Sequence, residues 1–234
     1  MILPRVLEPE VMDSPEEAAD YDAMDHAHVN RVFVDDLLTA VPAPTEILDL
    51  GTGTARIPLE ICQRVESVRI MAADAAVAML ELARFHIEAA GYANQIQLAH
   101  VDAKSLPFPD GMFPLVISNS ILHHIPDPGV VLREAVRVTA ADGQLFFRDL
   151  MRPDSETAVQ HLVTTYAAGA TDAQRNLFEA SLRAALRLDE IRDLVAELGF
   201  SPESVCQTSD RHWTWIAQRN TSRSGTPRAA EHLG

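Results

Sequence analysis

The apolar run Ile47-Leu48-Asp49-Leu50 passes directly into Gly51-Thr52-Gly53-Thr54, and a helical pattern follows from Thr54 to Val65. This strand–glycine turn–helix junction constrains the fold more than any other feature. An apolar strand followed at once by a helix has to be buried, and the helix has to return the chain for a parallel neighbour. The glycines let the backbone turn tightly and let a ligand approach the main chain. A Gly-x-Gly alone is weak, because many strand–helix turns contain one.

The units that follow give the junction its meaning. Arg69–Asp74 reads as a second strand and Ala75–Ala90 as a helix stopped at Gly91. Gln95–Val101, Phe113–Asn119 and Gln144–Asp149 read as three further strands, with a helix over Pro126–Thr139 between the last two. Repeated strand–helix units predict an α/β fold, a Rossmann-like three-layer sandwich on a mostly parallel sheet. Asp189–Leu198 reads as an amphipathic helix, and Glu203–Thr208 and His212–Gln218 as closing strands, for seven strands with the last antiparallel. Ahead of the sheet, Ser14-Pro15-Glu16-Glu17 is a helix start with a capping box, opening one or two helices over Pro15–Ala40. The expected organisation is a helical lid over 1–44, a main domain over 45–219 with a helical insertion at about 151–188, and a polar, disordered tail over 220–234.

Charge narrows the partners. Nineteen Lys and Arg against 34 Asp and Glu leave a net charge of −15. A surface of that sign repels nucleic acid and anionic membranes unless a basic patch is concentrated, and the arginines here are spread among acids. Met1–Glu10 lacks the basic start and apolar stretch of a secretion signal, and no apolar run is long enough for a membrane span. A cytoplasmic protein is expected. Cys62 and Cys206 show neither metal-ligand nor disulfide spacing. No metal is expected, because no His/Asp/Glu group with ligand spacing is left over.

At the junction, Asp49 would repel a pyrophosphate, so the ligand is better read as a cation with an amino-acid tail. Asp74, about 20 residues beyond Gly51, suits a ribose hydroxyl pair. A nicotinamide-dependent dehydrogenase shares these features, but its third glycine would fall on Arg56.

Together, Leu48-Asp49-Leu50-Gly51-Thr52-Gly53-Thr54, Asp74, Val101-Asp102-Ala103-Lys104-Ser105-Leu106-Pro107-Phe108, and Phe113 to Ile125 ending Leu122-His123-His124-Ile125 stand in one order. In that order they resemble the class I S-adenosylmethionine-dependent methyltransferases, in particular the small-molecule branch that includes enzymes of ubiquinone and menaquinone biosynthesis. The resemblance covers Glu46–Leu150. It implies methyl transfer from S-adenosylmethionine to a small-molecule acceptor by direct in-line displacement, with S-adenosylhomocysteine as product. It also implies that Gly51, Thr52 and Gly53 cradle the methionine part, Asp49 holds its ammonium, and Asp74 takes the ribose. Ala75 would flank the adenine, Asp102 and the Ala103 N–H would meet its edge, and Asn119 and Ser120 would lie beneath the sulfonium. Two departures stand out: Ala55 where the family often has glycine, and Pro114, which implies an edge or a bulge in its strand.

For the acceptor, His124 is the expected base. Adjacent residues should point different ways, so only one of His123 and His124 should face the pocket. Tyr21, with His26 and Asn30 near one helix face, would close over the cofactor. Arg148, Asp149 and Arg152 at the end of the fifth strand would sit at the mouth of the site, and Arg148, Arg152, Tyr166 in the insertion and Arg211 are the expected acceptor contacts. Each has a plainer reading, as a cap, a salt bridge or an exposed polar face, and the insertion could instead form a homodimer interface. A transfer-RNA methyltransferase and a non-catalytic cofactor-binding regulator are the alternative functions.

Overall fold

The structure is a computed structural model that describes residues 3–8, 13–24 and 26–220. The expected disordered tail lies, apart from Asn220, outside the described residues. Two helices lead, α1 (Pro15–Asp22) and α2 (Ala27–Ala40). The α/β region runs β1 (Glu46–Leu50), α3 (Arg56–Cys62), β2 (Arg69–Asp74), α4 (Val77–Ala90), β3 (Ile96–His100), β4 (Phe113–Asn119), α5 (Pro128–Val138) and β5 (Thr139–Leu150). It continues through α6 (Glu156–Tyr166), α7 (Asp172–Ala184) and α8 (Leu188–Glu197) to β6 (Val205–Gln207) and β7 (His212–Gln218). The seven strands form one sheet ordered β3-β2-β1-β4-β5-β7-β6, and β7 alone runs against its neighbours. No described helix is long and apolar enough to cross a membrane.

Alternation along the strands sorts side chains into two cores. Leu48, Leu50, Val116 and Phe147 point to the face covered by α5 and α8, where Trp213 and Trp215 are also buried. Ile47, Leu115, Ile117 and Phe146 point to the other face, covered by α2, α3 and α4. A third, smaller cluster joins α6 and α7 through Val159, Leu162, Val163 and Leu182. These helices fill the expected insertion and hang over the C-terminal ends of the strands.

Strand order reverses between β1 and β4, and a crevice opens at such a switch point. The chain is bent sharply there. Gly51 (φ +72°) and Gly53 (φ +55°) take left-handed conformations after β1. A Cβ on Gly51 would sit 1.9 Å from Ile121 Cγ2, so only glycine lets the loop after β4 pack against this turn. Ala55, the departure from glycine, is itself left-handed at φ +61° and fully buried. Pro114 sits in a central strand, and the β4–β5 register shifts between Phe113 and Leu115. Of the two expectations for this proline, the bulge is the one found.

Pro15–Ala40 forms two helices, because the chain leaves helical geometry after Asp22. Tyr21 and His26 therefore do not share a helix face, although their rings meet at 4.9 Å. Asp22 holds α1 down by pairing with Arg56 at 2.9 Å. Arg56, where a dinucleotide-binding turn would need glycine, thus anchors α1.

Candidate active site

One cavity of about 930 Å³ lies over the ends of β1, β2, β4 and β5. It is roofed by α1, the start of α2 and the α6–α7 pair. Its wall divides into an acidic end and a histidine-rich end.

The acidic end is built by β2 and the loop after β3. Asp74 ends β2 facing the cavity, with Oδ2 accepting the Gly53 N–H at 2.8 Å and Oδ1 accepting the Ala76 N–H at 2.9 Å. Each oxygen keeps a lone pair, so the carboxylate is held rigidly and can still accept from two hydroxyls. Burial raises its pKa, and the backbone donors oppose that shift. Asp102 accepts the Lys104 N–H at 2.9 Å, and with Ala75 and Ala103 it completes this wall. Tyr21 closes the end from α1, its ring edge over Gly53.

Gly51 and Gly53 line the cavity, but the N–H groups of Gly51 and Thr52 both donate to Ala73 O, at 2.8 and 3.0 Å. The turn therefore offers a ligand shape and carbonyls more than donors. Thr52, Asp49 and Asn119 lie behind the wall instead of in it. Asp49 is 2% exposed, its Oδ2 has no hydrogen-bond partner, and burial pushes its carboxyl up to about 7. Asn119 Oδ1 is likewise buried without a partner. Two unsatisfied acceptors next to a cavity walled by carboxylates fit a cationic ligand that carries hydroxyls, as S-adenosylmethionine does. Ser120 lines the cavity beyond them with a strained left-handed backbone, φ +62°, its N–H held by Arg148 O at 2.9 Å.

The histidine-rich end is built on one 3-10 turn, Leu122–His124, after β4. Asp149, 1% exposed near the end of β5, accepts the Leu122 N–H at 2.6 Å and meets His123 Nδ1 at 2.5 Å. That carboxylate raises the pKa of His123 against the opposing effect of burial. The expectation that only one histidine faces the pocket is corrected. His123 and His124 both line it, their ring centroids 4.1 Å apart, because the tight turn brings successive side chains together. His212 lines the cavity from β7, held neutral by burial and by Arg211, its pKa lowered to about 4.

Tyr166 and Arg211 reach the cavity rim, with the guanidinium 3.4 Å from the ring centroid and the Tyr166 hydroxyl donating to Asp210 at 2.7 Å. Arg148 and Arg152 are not acceptor contacts. Arg148 shares the face of Phe146, so it points toward α2, where it pairs with Asp36 at 2.6 Å and donates to Thr214 at 2.9 Å. Arg152 is 4% exposed and is consumed by Glu190 at 2.5 Å and Ala185 O at 2.9 Å. Both are structural ties. Sequence reasoning missed Glu8 and His212, and read Asp149 as a charge at the mouth of the site where it is the buried support of His123. Only Asp149 left a signal, as the residue whose strand alternation opposes Arg148.

Residues 48–147 match the methyltransferase domain family. The chain is 32% identical over 192 residues to a malonyl-[acyl-carrier protein] O-methyltransferase of Geobacter sulfurreducens, covering 80% of this chain and 68% of that protein. It is 28% identical over 181 residues to 27-O-demethylrifamycin SV methyltransferase of Amycolatopsis mediterranei, covering 76% of this chain and 62% of that protein. Among solved structures, a SAM-dependent methyltransferase of Aquifex aeolicus superposes with a TM-score of 0.64 at 15% identity, over 88% of this chain and 98% of that one. A seven-stranded sheet with an antiparallel last strand, a glycine turn at its switch point and a paired acid on the next strand are thus joined to close relatives in sequence, and the chain belongs to the class I S-adenosylmethionine-dependent methyltransferases.

Proposed function

We propose that the chain methylates a nucleophilic oxygen or nitrogen of a small-molecule acceptor. The observation that carries this reading is one cavity with the rigidly held Asp74 and Asp102 at one end and a histidine cluster at the other, joined across Ser120 and Ile121. Its volume of about 930 Å³ is at the upper end of the roughly 300–1,000 Å³ usual for small-molecule sites, which suits a cofactor and a small acceptor together.

S-adenosylmethionine supplies an activated methyl group on a sulfonium, and its in-line transfer leaves S-adenosylhomocysteine. The protein's part is positioning, desolvation and removal of a proton. Asp74 accepts from the ribose hydroxyls, Asp102 and the Ala103 N–H meet the adenine edge, and Asp49 compensates the ammonium from behind the glycine turn. Ser120 borders the reacting centre. Tyr21 covers the cofactor, while Tyr166 and Arg211 guide the acceptor at the rim. His124, the more open of the two histidines at 16% against 4% exposure, takes the acceptor's proton when the nucleophile needs to lose one. The −15 net charge supports a small molecule over a nucleic acid.

Calorimetric titration with S-adenosylhomocysteine tests the cofactor assignment. Asp74→Ala removes two charge-assisted hydrogen bonds, each worth about 1.5–3 kcal/mol, so affinity falls at least tenfold while the fold survives. Unchanged affinity overturns the ribose assignment. Methyl transfer from labelled cofactor to transfer RNA, and to none of a panel of small hydroxyl and amine acceptors, overturns the acceptor class.

A further inference from the structure

The most unusual feature of the cavity comes from a segment far away in sequence. Residues 3–8 form a strap laid against the turn that carries the two histidines. Arg5 fastens it, donating to Ile125 O at 2.9 Å, His123 O at 3.2 Å and Ala184 O at 2.6 Å. Val6 adds a backbone bond to Arg183 O at 3.1 Å. The strap thereby delivers Glu8, whose side chain is 5% exposed, to the histidine end, where Ser181 Oγ donates to its Oε2 at 3.3 Å.

The other carboxylate oxygen, Oε1, lies 3.2 Å from His124 Nδ1 and 3.5 Å from His123 Nε2. It is buried and makes no hydrogen bond, and it faces both imidazoles as an ion-pair partner. A buried carboxylate oxygen set between two imidazole nitrogens is also the arrangement of a metal-ligand set. Ligand atoms at about 2.0–2.1 Å from a tetrahedral ion stand about 3.3 Å from one another, which matches both separations. All three atoms lie within 4.8 Å of one another, and they form the one such group among the described residues.

The surroundings suit the same purpose. Asp149 holds His123 Nδ1 at 2.5 Å, which turns Nε2 toward Glu8. A carboxylate behind a ligating imidazole is the usual support of a metal-bound histidine, fixing its tautomer and raising its basicity. Asp149 is itself fixed by backbone N–H groups of Leu122 and Leu150, both at 2.6 Å. Two imidazoles and a carboxylate are borderline ligands, suited to zinc, cobalt or iron(II) more than to magnesium or calcium.

We propose that Glu8, His123 and His124 bind a divalent transition-metal ion of zinc's class, with the open coordination position facing the acceptor space. The expectation that no metal-ligand set is left over did not weigh Glu8, which joins the two histidines only in the fold. It deepens the reading of this cavity as an acceptor site and rests on it. An acceptor oxygen coordinated at the open position loses its proton more readily, so the ion takes over the part assigned to His124 in the ion-free protein.

Cobalt(II) is the probe, because tetrahedral and octahedral cobalt differ strongly in visible absorption. Titration of the full chain gives one equivalent of bound cobalt with intense tetrahedral bands, displaced by zinc. Glu8→Gln and His124→Gln each lower cobalt affinity at least 100-fold, and Asp149→Asn lowers it about 10–100-fold. Binding of S-adenosylhomocysteine by the Glu8→Gln and His124→Gln variants stays unchanged, which shows that they remain folded and separates this test from the cofactor assignment. Absence of stoichiometric cobalt binding at micromolar concentration overturns the proposal and leaves a histidine–carboxylate ion pair only. Cobalt binding that survives both ligand substitutions overturns it equally.

Discussion

Asp49 offers the sharpest test of how the cofactor end works. Its carboxyl is buried behind the glycine turn and moves from an ordinary 3.8 to about 7 on folding. Between those values the native protein holds a proton there that the unfolded chain has lost, so stability falls as pH rises. At about 1.36 kcal/mol per pH unit, ionised Asp49 costs the cofactor-free fold on the order of 4 kcal/mol above pH 7. Asp49→Asn mimics the neutral acid and removes that dependence. Denaturant unfolding from pH 4 to pH 8 should show the two proteins similar at the acid end and the variant the more stable by up to about 4 kcal/mol at the alkaline end. S-adenosylhomocysteine, through its ammonium, should restore the ionised carboxylate and release a proton on binding below pH 7. The calorimetric enthalpy of the wild-type protein should therefore vary with the ionisation enthalpy of the buffer, and that of the variant should not. A stability difference that is flat with pH, or that favours the wild-type protein at pH 8, refutes the reasoning.

Other substitutions separate the site from its scaffold. Gly51→Ala meets both a left-handed backbone and Ile121 Cγ2 at 1.9 Å, and should cost at least about 2 kcal/mol in denaturant unfolding, with loss of cofactor binding. Arg152→Ala removes a buried guanidinium bonded to Glu190 and to Ala185 O, and should destabilise by about 1.5–3 kcal/mol, the range for hydrogen bonds to charged groups. Tyr166→Phe with Arg211→Ala opens the rim, and should lower turnover several-fold while titration shows S-adenosylhomocysteine affinity retained. Full turnover in that double variant removes both residues from the acceptor site.

Local sequence was enough for the sheet and the acidic end, because both are made of short-range pieces. Strand–helix alternation, the turn at Gly51–Gly53 and an acid closing the second strand are features of neighbouring residues, and a parallel sheet with right-handed crossovers leaves few ways to arrange them. The bulge at Pro114 was legible for the same reason, since proline removes a ladder donor wherever it sits. The acceptor end was not legible. Arg148 and Arg152 look like a charged mouth in sequence, and only strand alternation and packing against α2 and α8 reveal that both guanidinium groups are buried and point away from the cavity to Asp36 and Glu190. His123 and His124 share a wall because a 3-10 turn replaces the helix or strand geometry that would have parted them. Glu8 joins them across more than a hundred residues through a strap fastened by Arg5 and by the Val6 backbone. Periodicity and motif spacing describe what a residue's near neighbours impose. They carry no information on contacts between distant segments, which arise only when the chain closes on itself and burial forces each charge to find a partner.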